Sequence, residues 1–278
     1  REVAYYHAMG FVDHPQEFFT RPEAKPSCRI ESQGPYGGGA YQVISFPSGF
    51  APRNPFIRRR YLRFSENRTG YLVRWLHGDH PRPTVLCVHG FMMGDPREAA
   101  RMFKIRTLFD LGLDVALFVL PFHWKRVKGG RGARRIYLTL GDVAFTNECI
   151  AQSVFDLDNA FLILNDLGVT EIGMVGASLG GYVTGLYACL RDHLRFAALM
   201  VPALSFLRPL QPDLFLRRAP FDGAWRTRIQ RAADFHSPLN LAPRIAPEKI
   251  LVVASRGDRV CPSDLVQELR QRWGLSRC

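Results

Sequence analysis

The sequence lacks any long hydrophobic run. No stretch approaches the roughly 18 consecutive apolar residues that a membrane-spanning helix needs, so we expect no transmembrane segment. The hydrophobic fraction is 47% and the charged fraction is 22% of 278 residues, which is typical of an ordinary globular protein and excludes a disordered chain. This length fits a single domain with an insertion.

The sequence also lacks paired cysteines. Its six cysteines are scattered without a C-x-x-C spacing, and Cys87 and Cys189 fall inside a predicted strand and a predicted helix. This spacing argues against a zinc site and against a disulfide framework. We therefore expect buried free thiols, no metal, no cofactor and a reducing, cytoplasmic location. Because the chain begins with Arg1 and not with methionine, the sequence leaves open whether a targeting segment precedes it.

No nucleic-acid-binding motif accompanies the basic charge. The formal net charge is +12 and the isoelectric point is about 9.8, with local concentrations of basic residues at 58–60, 125–126 and 134–135. Elsewhere the positive residues are spread over the whole chain. We expect a solvated basic surface and no specific nucleic-acid partner.

Short β-prone runs alternate with stretches of helical periodicity along the chain. We predict a short helix near residues 2–11, then a loop to residue 40, and strands at 41–46, 61–64, 71–76, 84–88, 114–120, 196–201 and 249–254. Further helices are predicted from the Asp95-Pro96 cap, over 146–167 and after Pro262. Such alternation is typical of an α/β domain with a doubly wound, mostly parallel sheet.

The segment 171–190 has the most informative pattern. A short apolar run ending at Val175 is followed by Gly176-Ala177-Ser178-Leu179-Gly180 and then by apolar residues at helical spacing. This order predicts a strand, a sharp turn and a helix with a serine at the apex. Glycines two residues on either side avoid side-chain clashes in such a turn. The alternative is an incidental glycine-rich helix start.

With this strand-turn-helix context, the sequence resembles the α/β-hydrolase superfamily, in a serine-esterase, dienelactone-hydrolase-like branch. The resemblance extends from about Tyr41 to the C-terminus. It implies antiparallel N-terminal strands joined to a mostly parallel sheet, with an N-terminal extension over 1–40, a hydrolase domain over 41–278 and a small helical cap at about 203–236. A plain long connection is the alternative to the cap.

The resemblance also implies four site residues. Ser178 takes the place of the nucleophile, and Asp258, after the last predicted strand, takes the place of the acid that orients a histidine. The backbone amides of Phe91, in the H-G-F turn after strand 84–88, and of Leu179 take the place of the oxyanion-hole donors. The alternative for Asp258 is an ordinary Gly-Asp turn.

Three further residues are candidates for lining the substrate pocket. His123 and Trp124 follow strand 114–120, at the edge of the sheet where ligands bind in such folds, and His89 begins the H-G-F turn. Each has an alternative interpretation. Trp124 could serve only for packing, and His123 could lie on the surface. His89 could be a histidine at a strand end whose hydrogen bonds are all made within the protein.

No histidine follows Asp258, although the superfamily order is serine, acid, histidine. Three interpretations remain: the base lies beyond Cys278 in a longer chain, the fold has lost catalysis, or His123 or His236 acts out of order. We therefore expect a serine hydrolase that cleaves an ester, thioester or related acyl bond of a small-molecule substrate, with its histidine beyond the visible end. The alternative is a non-catalytic hydrolase-fold protein that binds a ligand.

Overall fold

The computed structural model describes residues 1–78, 80–128, 141–206 and 223–276. In these ranges eight strands form one sheet: β1 (Arg29–Tyr36), β2 (Gly39–Pro47), β3 (Thr69–Leu76), β4 (Thr84–Val88), β5 (Asp114–Phe118), β6 (Ile172–Ala177), β7 (Ala197–Met200) and β8 (Ile250–Val253). The strand order is β1-β2-β3-β5-β4-β6-β7-β8. β1, β2, β3 and β5 pair antiparallel in succession, and β5, β4, β6, β7 and β8 run parallel. The predicted fold class is confirmed.

Helices cover both faces of this sheet. They are α1 (Glu2–Ala8), α2 (Pro55–Tyr61), α3 (Pro96–Met102), α4 (Ile105–Asp110), α5 (Val143–Asp166), α6 (Leu179–Leu190), α7 (Gly223–Asp234) and α8 (Ser263–Trp273). Short 3₁₀ turns lie at Pro15–Phe18, Ser65–Arg68, Trp124–Arg126, Pro238–Asn240 and Pro247–Lys249. None of the helices in the described ranges combines the length and apolarity that a bilayer crossing needs.

The sheet divides the core into two layers. On one face, residues of α1, α5, α6 and α8 pack together and against Leu72 and Leu86. On the other face, α3 and α4 pack against Val73, Trp75 and Cys87. The aromatic residues Tyr6, Phe11 and Phe18 of the N-terminal segment lie in the first of these layers. Hydrophobic burial on both faces accounts for the continuous apolar sequences of β4 and β5.

α5 carries a polar network inside the larger layer. Arg126 and Asp156, both with no exposed side-chain surface, form an ion pair of 2.6 Å. Asp156 also accepts a hydrogen bond from Ser48, and Arg126 donates to the Asn67 and Val119 carbonyls. These bonds compensate for much of the cost of removing two charges from water, and they tie the loop after β5 to α5.

Three predicted elements differ from the structure. The segment 61–64 is not a strand, because Asn54 caps and Pro55 begins a helix that ends at Tyr61. The predicted loop over residues 11–40 contains β1, which is mostly exposed and so has no apolar alternation to reveal it. The helix expected after Asp95 is two helices, separated at Lys104, whose φ is +51°.

Candidate active site

Ser178 lies in a sharp turn between β6 and α6. Its φ is +52° and its ψ is −114°, which is a costly conformation for a residue with a side chain. Three backbone hydrogen bonds hold Ser178 in this conformation. Its amide donates to the Met200 carbonyl at 2.9 Å, and its carbonyl accepts from the amides of Tyr182 and Ala203. The half-buried side chain is thus held at the carboxyl end of β6.

The flanking glycines are required by backbone contact. A Cβ on Gly180 would lie 1.9 Å from the Val88 carbonyl oxygen, and a Cβ on Gly176 would lie 2.1 Å from the Gly180 carbonyl oxygen. Real Cβ atoms do not approach backbone oxygen this closely. The two glycines therefore let α6 start directly against β4 and β6, as expected from the sequence.

The H-G-F turn after β4 lies against the serine. A Cβ built on Gly90 would be 3.6 Å from the Ser178 Cβ and 3.5 Å from the Ala177 carbonyl oxygen. Phe91 follows Gly90 in this turn and is half-buried. Leu179 is the first residue of α6, and an amide in that position has no carbonyl acceptor within its own helix. Both predicted oxyanion-hole residues therefore belong to segments that adjoin Ser178.

The His89 side chain holds this turn from within the core. It has no exposed surface, its Nδ1 lies 2.8 Å from the Gly90 carbonyl oxygen, and its Nε2 accepts a hydrogen bond from the Leu120 amide at 3.1 Å. These partners fix the tautomer with the proton on Nδ1. The imidazole therefore links the turn to the end of β5 and does not face an open surface.

His123 lies beside His89, with ring centroids 4.9 Å apart, and its two ring nitrogens also contact the backbone. Its Nδ1 lies 2.8 Å from the Pro121 carbonyl oxygen, its Nε2 accepts from the Met92 amide at 3.1 Å, and it is fully buried. A base must accept the serine proton, and both ring nitrogens of His123 already have backbone partners. Its neighbour Trp124 is half-buried and packs edge-on against Tyr71, with ring centroids 5.5 Å apart.

His236 is enclosed under α6. Its Nδ1 contacts the Tyr182 hydroxyl and its Nε2 lies 3.0 Å from Oδ1 of Asn147. Burial without a charged partner lowers the pKa of His236 to about 3. Throughout the described ranges, no histidine nitrogen is within hydrogen-bond distance of Ser178 Oγ.

Asp258 organises the loop that does reach Ser178. Its Oδ1 accepts hydrogen bonds from the amides of Val260 and Cys261, both at 2.8 Å. This turn places the Cys261 Sγ 3.8 Å from the Ser178 Oγ. The structure thus brings Ser178 and the Asp258 loop together at one edge of the sheet, although they are far apart in sequence.

Sequence reasoning identified Cys261 only as one of several scattered thiols. It is 5% exposed, and burial raises the pKa of the thiol, with a smaller opposing effect from the Ser178 hydrogen bond and a raising effect from the Asp258 charge. The thiol is therefore protonated at neutral pH and is a poor nucleophile. The one sequence feature that could have placed Cys261 near Ser178 is its position three residues after the candidate acid Asp258. The described residues contain no group of histidine, cysteine or carboxylate ligands suited to a metal ion.

The described part of the predicted cap, 203–236, comprises residues 203–206 and 223–236, and the second stretch contains α7. Leu204 and Phe206 are buried at one end, and Ala232, Phe235 and His236 are buried at the other. Residues 207–222 lie outside the described ranges. Residues 203–206, next to the gap, and the last turn of α7 therefore belong to the core, whereas residues 223–231 of α7 are exposed or half-buried. The cap function of the segment stays a prediction.

Two curated proteins are similar to the chain in sequence. No protein-family model matches the chain. Two curated proteins from two strains of Mycobacterium tuberculosis, both called uncharacterized, are 29% identical over 277 residues, which is 98% of this chain and 66% of each relative. The chain thus spans just under two thirds of the length of the curated relatives it matches.

Solved structures are similar over most of the chain. Acetyl xylan esterase 1 from a Thermoanaerobacterium species has a TM-score of 0.66 at 16% identity, over 97% of this chain and 84% of its own. An acetyl xylan esterase from a Paenibacillus species has a TM-score of 0.63 at 14% identity, over 99% and 85%. An S-formylglutathione hydrolase from Agrobacterium tumefaciens has a TM-score of 0.57 at 15% identity, over 90% and 89%. Together with the strand order and the turn at Ser178, these similarities show that the chain has the α/β-hydrolase fold.

Proposed function

We propose that this chain carries the nucleophile, oxyanion-hole and acid segments of a serine hydrolase that cleaves an ester, thioester or related acyl bond. The observation that carries the proposal is the Ser178 backbone, held at φ +52° between the Gly90 turn and the Asp258 loop. A non-glycine residue is kept in such a conformation only where the surroundings over-determine it, and such residues cluster at active sites. The similar esterase structures support the same class.

In this proposal Ser178 Oγ attacks the carbonyl carbon of the substrate. The carbonyl oxygen becomes negatively charged as the tetrahedral intermediate forms, and the amides of Phe91 and Leu179 donate hydrogen bonds to it. The helix start at Leu179 adds a favourable partial positive charge. A histidine takes the serine proton and later gives it to the leaving group, and Asp258 holds that histidine in one tautomer.

We infer that the histidine comes from residues after Cys278. His89, His123 and His236 already have partners for both ring nitrogens. β8 pairs with β7 alone among the described strands, and its Leu251 and Val253 are 45% and 43% exposed. A further strand beside β8 would pair with its free backbone edge, shield these two side chains in part, and bring a following loop next to Asp258.

The test is turnover of a simple activated ester by the full-length protein, with Ser178→Ala and the control Ser255→Ala. Ser255 is an exposed serine in the acid loop. We expect Ser178→Ala to lower kcat by roughly six orders of magnitude, as for other serine nucleophiles, and Ser255→Ala to leave kcat unchanged. Ester turnover by Ser178→Ala at the wild-type rate would rule out the assignment.

A second candidate function is ligand binding without catalysis. It is favoured by the Ser178 Oγ contact with a cysteine thiol, where a hydrolase has an imidazole. A serine-directed phosphonate distinguishes the two functions, because only an activated serine is labelled at a useful rate. Labelling of the full-length protein that is lost in Ser178→Ala supports the hydrolase. Absence of labelling in the full-length protein supports the binding protein.

A further inference from the structure

Arg74 is a nearly buried arginine whose guanidinium opens on a cavity and has no partner among the described residues. It lies in the middle of β3 and is only 6% exposed. Within residues 1–78, 80–128, 141–206 and 223–276 it donates no hydrogen bond and forms no ion pair. None of its nitrogens is among the fully buried polar atoms that lack a partner, so the guanidinium meets solvent in the cavity and can pair with an anion that enters it. Nearly buried arginines are almost always paired.

The nearest acid does not serve as that partner. Asp114 begins β5, which pairs with β3, and its charge acts on Arg74 only at longer range, while burial lowers the pKa of the guanidinium. The Asp114 Oδ1 atom instead accepts hydrogen bonds from the backbone amide of His77 at 3.0 Å and from its ring Nδ1 at 2.9 Å.

Arg74 faces a cavity of about 530 Å³. This volume falls within the range of sites for small organic ligands. Gln42 lies opposite Arg74 on the adjacent strand, so the two side chains emerge side by side on one face of the sheet, and both line the cavity. The cavity thus offers a guanidinium fork and a side-chain amide next to each other.

The remaining walls define the rest of the ligand. Ile44, Leu76 and Leu167 give the cavity an apolar side, which suits an aliphatic chain. Arg29, His80 and Asp114 also line it. Arg29 is already paired with Glu31, whereas Asp114 would repel a second negative charge on the ligand. The charge pattern therefore favours a singly charged anion over a phosphate dianion.

The cavity is separate from the candidate active site. It lies where β5 begins, whereas Ser178 follows the end of β6, and these two strands run parallel on either side of β4. A strand of five residues spans roughly 16 Å. The two sites are therefore at opposite edges of the parallel sheet.

We propose that this cavity binds a monocarboxylate with a short aliphatic chain, whose carboxylate pairs with Arg74 and Gln42. The paired hydrogen bonds of guanidinium and carboxylate match in geometry. The aliphatic chain lies along the apolar wall. This site does not depend on the proposed hydrolase activity.

The test is calorimetric titration of the protein with hexanoate, with hexanol and inorganic phosphate as comparison ligands. We expect saturable binding of one hexanoate per chain, at least tenfold weaker binding of hexanol, and at least tenfold weaker binding of phosphate. Hexanol binding as tightly as hexanoate would overturn the role of the charge. Phosphate binding as tightly would overturn the monocarboxylate assignment, and no hexanoate binding would overturn the site.

Variants locate the binding. Arg74→Gln should weaken hexanoate binding at least tenfold, and Gln42→Leu should weaken it severalfold. Arg97→Gln is the matched control, because Arg97 is an exposed arginine that is not among the residues lining the cavity, and it should bind hexanoate as the wild type does. Ser178→Ala should also bind normally. Loss of binding in Ser178→Ala, or full binding in Arg74→Gln, would overturn the proposal.

Removing the unpaired charge gives a second readout. Without ligand, Arg74→Gln should unfold at about the same temperature as the wild type, because the Arg74 side chain forms no hydrogen bond and no ion pair with the described residues. Hexanoate should raise the unfolding temperature of the wild type and not that of Arg74→Gln. A strongly destabilised Arg74→Gln protein would show that Arg74 is structural and would overturn the proposal.

Discussion

At the scale of single residues, Asp258 has two separable contributions. Its Oδ1 atom accepts two backbone hydrogen bonds that shape the loop beside Ser178, and its negative charge is the part that a catalytic acid uses. An asparagine keeps an oxygen in the same place but has no charge. The two contributions can therefore be measured apart.

We expect Asp258→Asn to keep the loop and to lose activity. The unfolding free energy should change by less than about 1 kcal/mol, because a neutral acceptor replaces a charged one in the same turn. The kcat of the full-length protein should fall by about 10⁴, as when the orienting acid of a triad is replaced by its amide. Urea unfolding and ester turnover are the measurements. An unchanged kcat would show that Asp258 shapes the turn and has no catalytic role.

Gly180 is a residue whose identity is set by backbone contact. Its added Cβ would lie 1.9 Å from the Val88 carbonyl oxygen, so Gly180→Ala must push α6 away from β4. We expect a loss of about 3 kcal/mol in unfolding free energy, at the upper end of what overpacking usually costs. The matched control is Gly34→Ala in β1, where nothing lies within 4 Å of the added Cβ. Equal stability of the two variants would contradict this packing.

At the scale of elements, His236 joins three helices. It follows α7, contacts Tyr182 of α6 and contacts Asn147 of α5. Asn147 in turn donates to the Ala232 carbonyl of α7. The neutral imidazole serves as an acceptor toward Tyr182 and a donor toward Asn147, and protonation would remove the acceptor.

This contact predicts a loss of stability in acid. The folded pKa of His236 is lowered to about 3 from the ordinary 6.5, so the unfolded chain binds a proton between these values and the folded chain does not. Its contribution is therefore fully present above pH 6.5 and decreases as the pH falls toward 3. At roughly 1.4 kcal/mol per pH unit, the decrease between pH 7 and pH 5 is about 2 kcal/mol.

His236→Gln is the variant that tests this prediction. Glutamine offers both an acceptor for Tyr182 and a donor for Asn147, but it does not titrate. Glu148, whose pKa burial raises to about 7, changes stability in the opposite direction in both proteins, so the difference between variant and wild type isolates His236. Urea unfolding at pH 7 and pH 5 should show a smaller decrease in the variant. Equal decreases would mean that His236 titrates normally.

At the scale of the whole molecule, the sheet ends in an unpaired apolar strand. β8 is the last strand in the order, and alternate residues on it are buried and exposed, with Leu251 and Val253 outward. Exposed apolar edge strands favour association with other chains. The proposed strand and histidine beyond Cys278 would cover this edge and complete the site in one step.

We therefore expect the 278-residue chain and the full-length protein to differ in both activity and stability. The shorter chain should turn over an activated ester only slightly above the uncatalysed rate, because Ser178 without a base is a weak nucleophile at neutral pH. It should also unfold at a lower temperature. Full activity of the shorter chain, lost in His123→Ala or His236→Ala, would show that the base comes from within this chain.

The sequence by itself determined the parallel half of the fold and the turn at Ser178. β4, β5 and β6 are continuous apolar runs, and the glycine pattern around Ser178 has one local backbone solution. Such features depend on near neighbours in the chain, so local propensity and periodicity are enough to predict them. β1 and α2 were missed because their signals are weak: an exposed hairpin strand has no hydrophobic alternation, and the Asn54-Pro55 start was outweighed by β-prone residues after it.

Only the tertiary structure decided which of the candidate residues meet. It placed Cys261 against Ser178, gave both ring nitrogens of His89 and His123 backbone partners, enclosed His236 under α6, and left Arg74 facing a cavity without a partner. None of these outcomes follows from spacing along the chain. Hydrogen-bond partners and burial depend on which strands become neighbours, and that order is set by the packing of the whole sheet and not by any local segment.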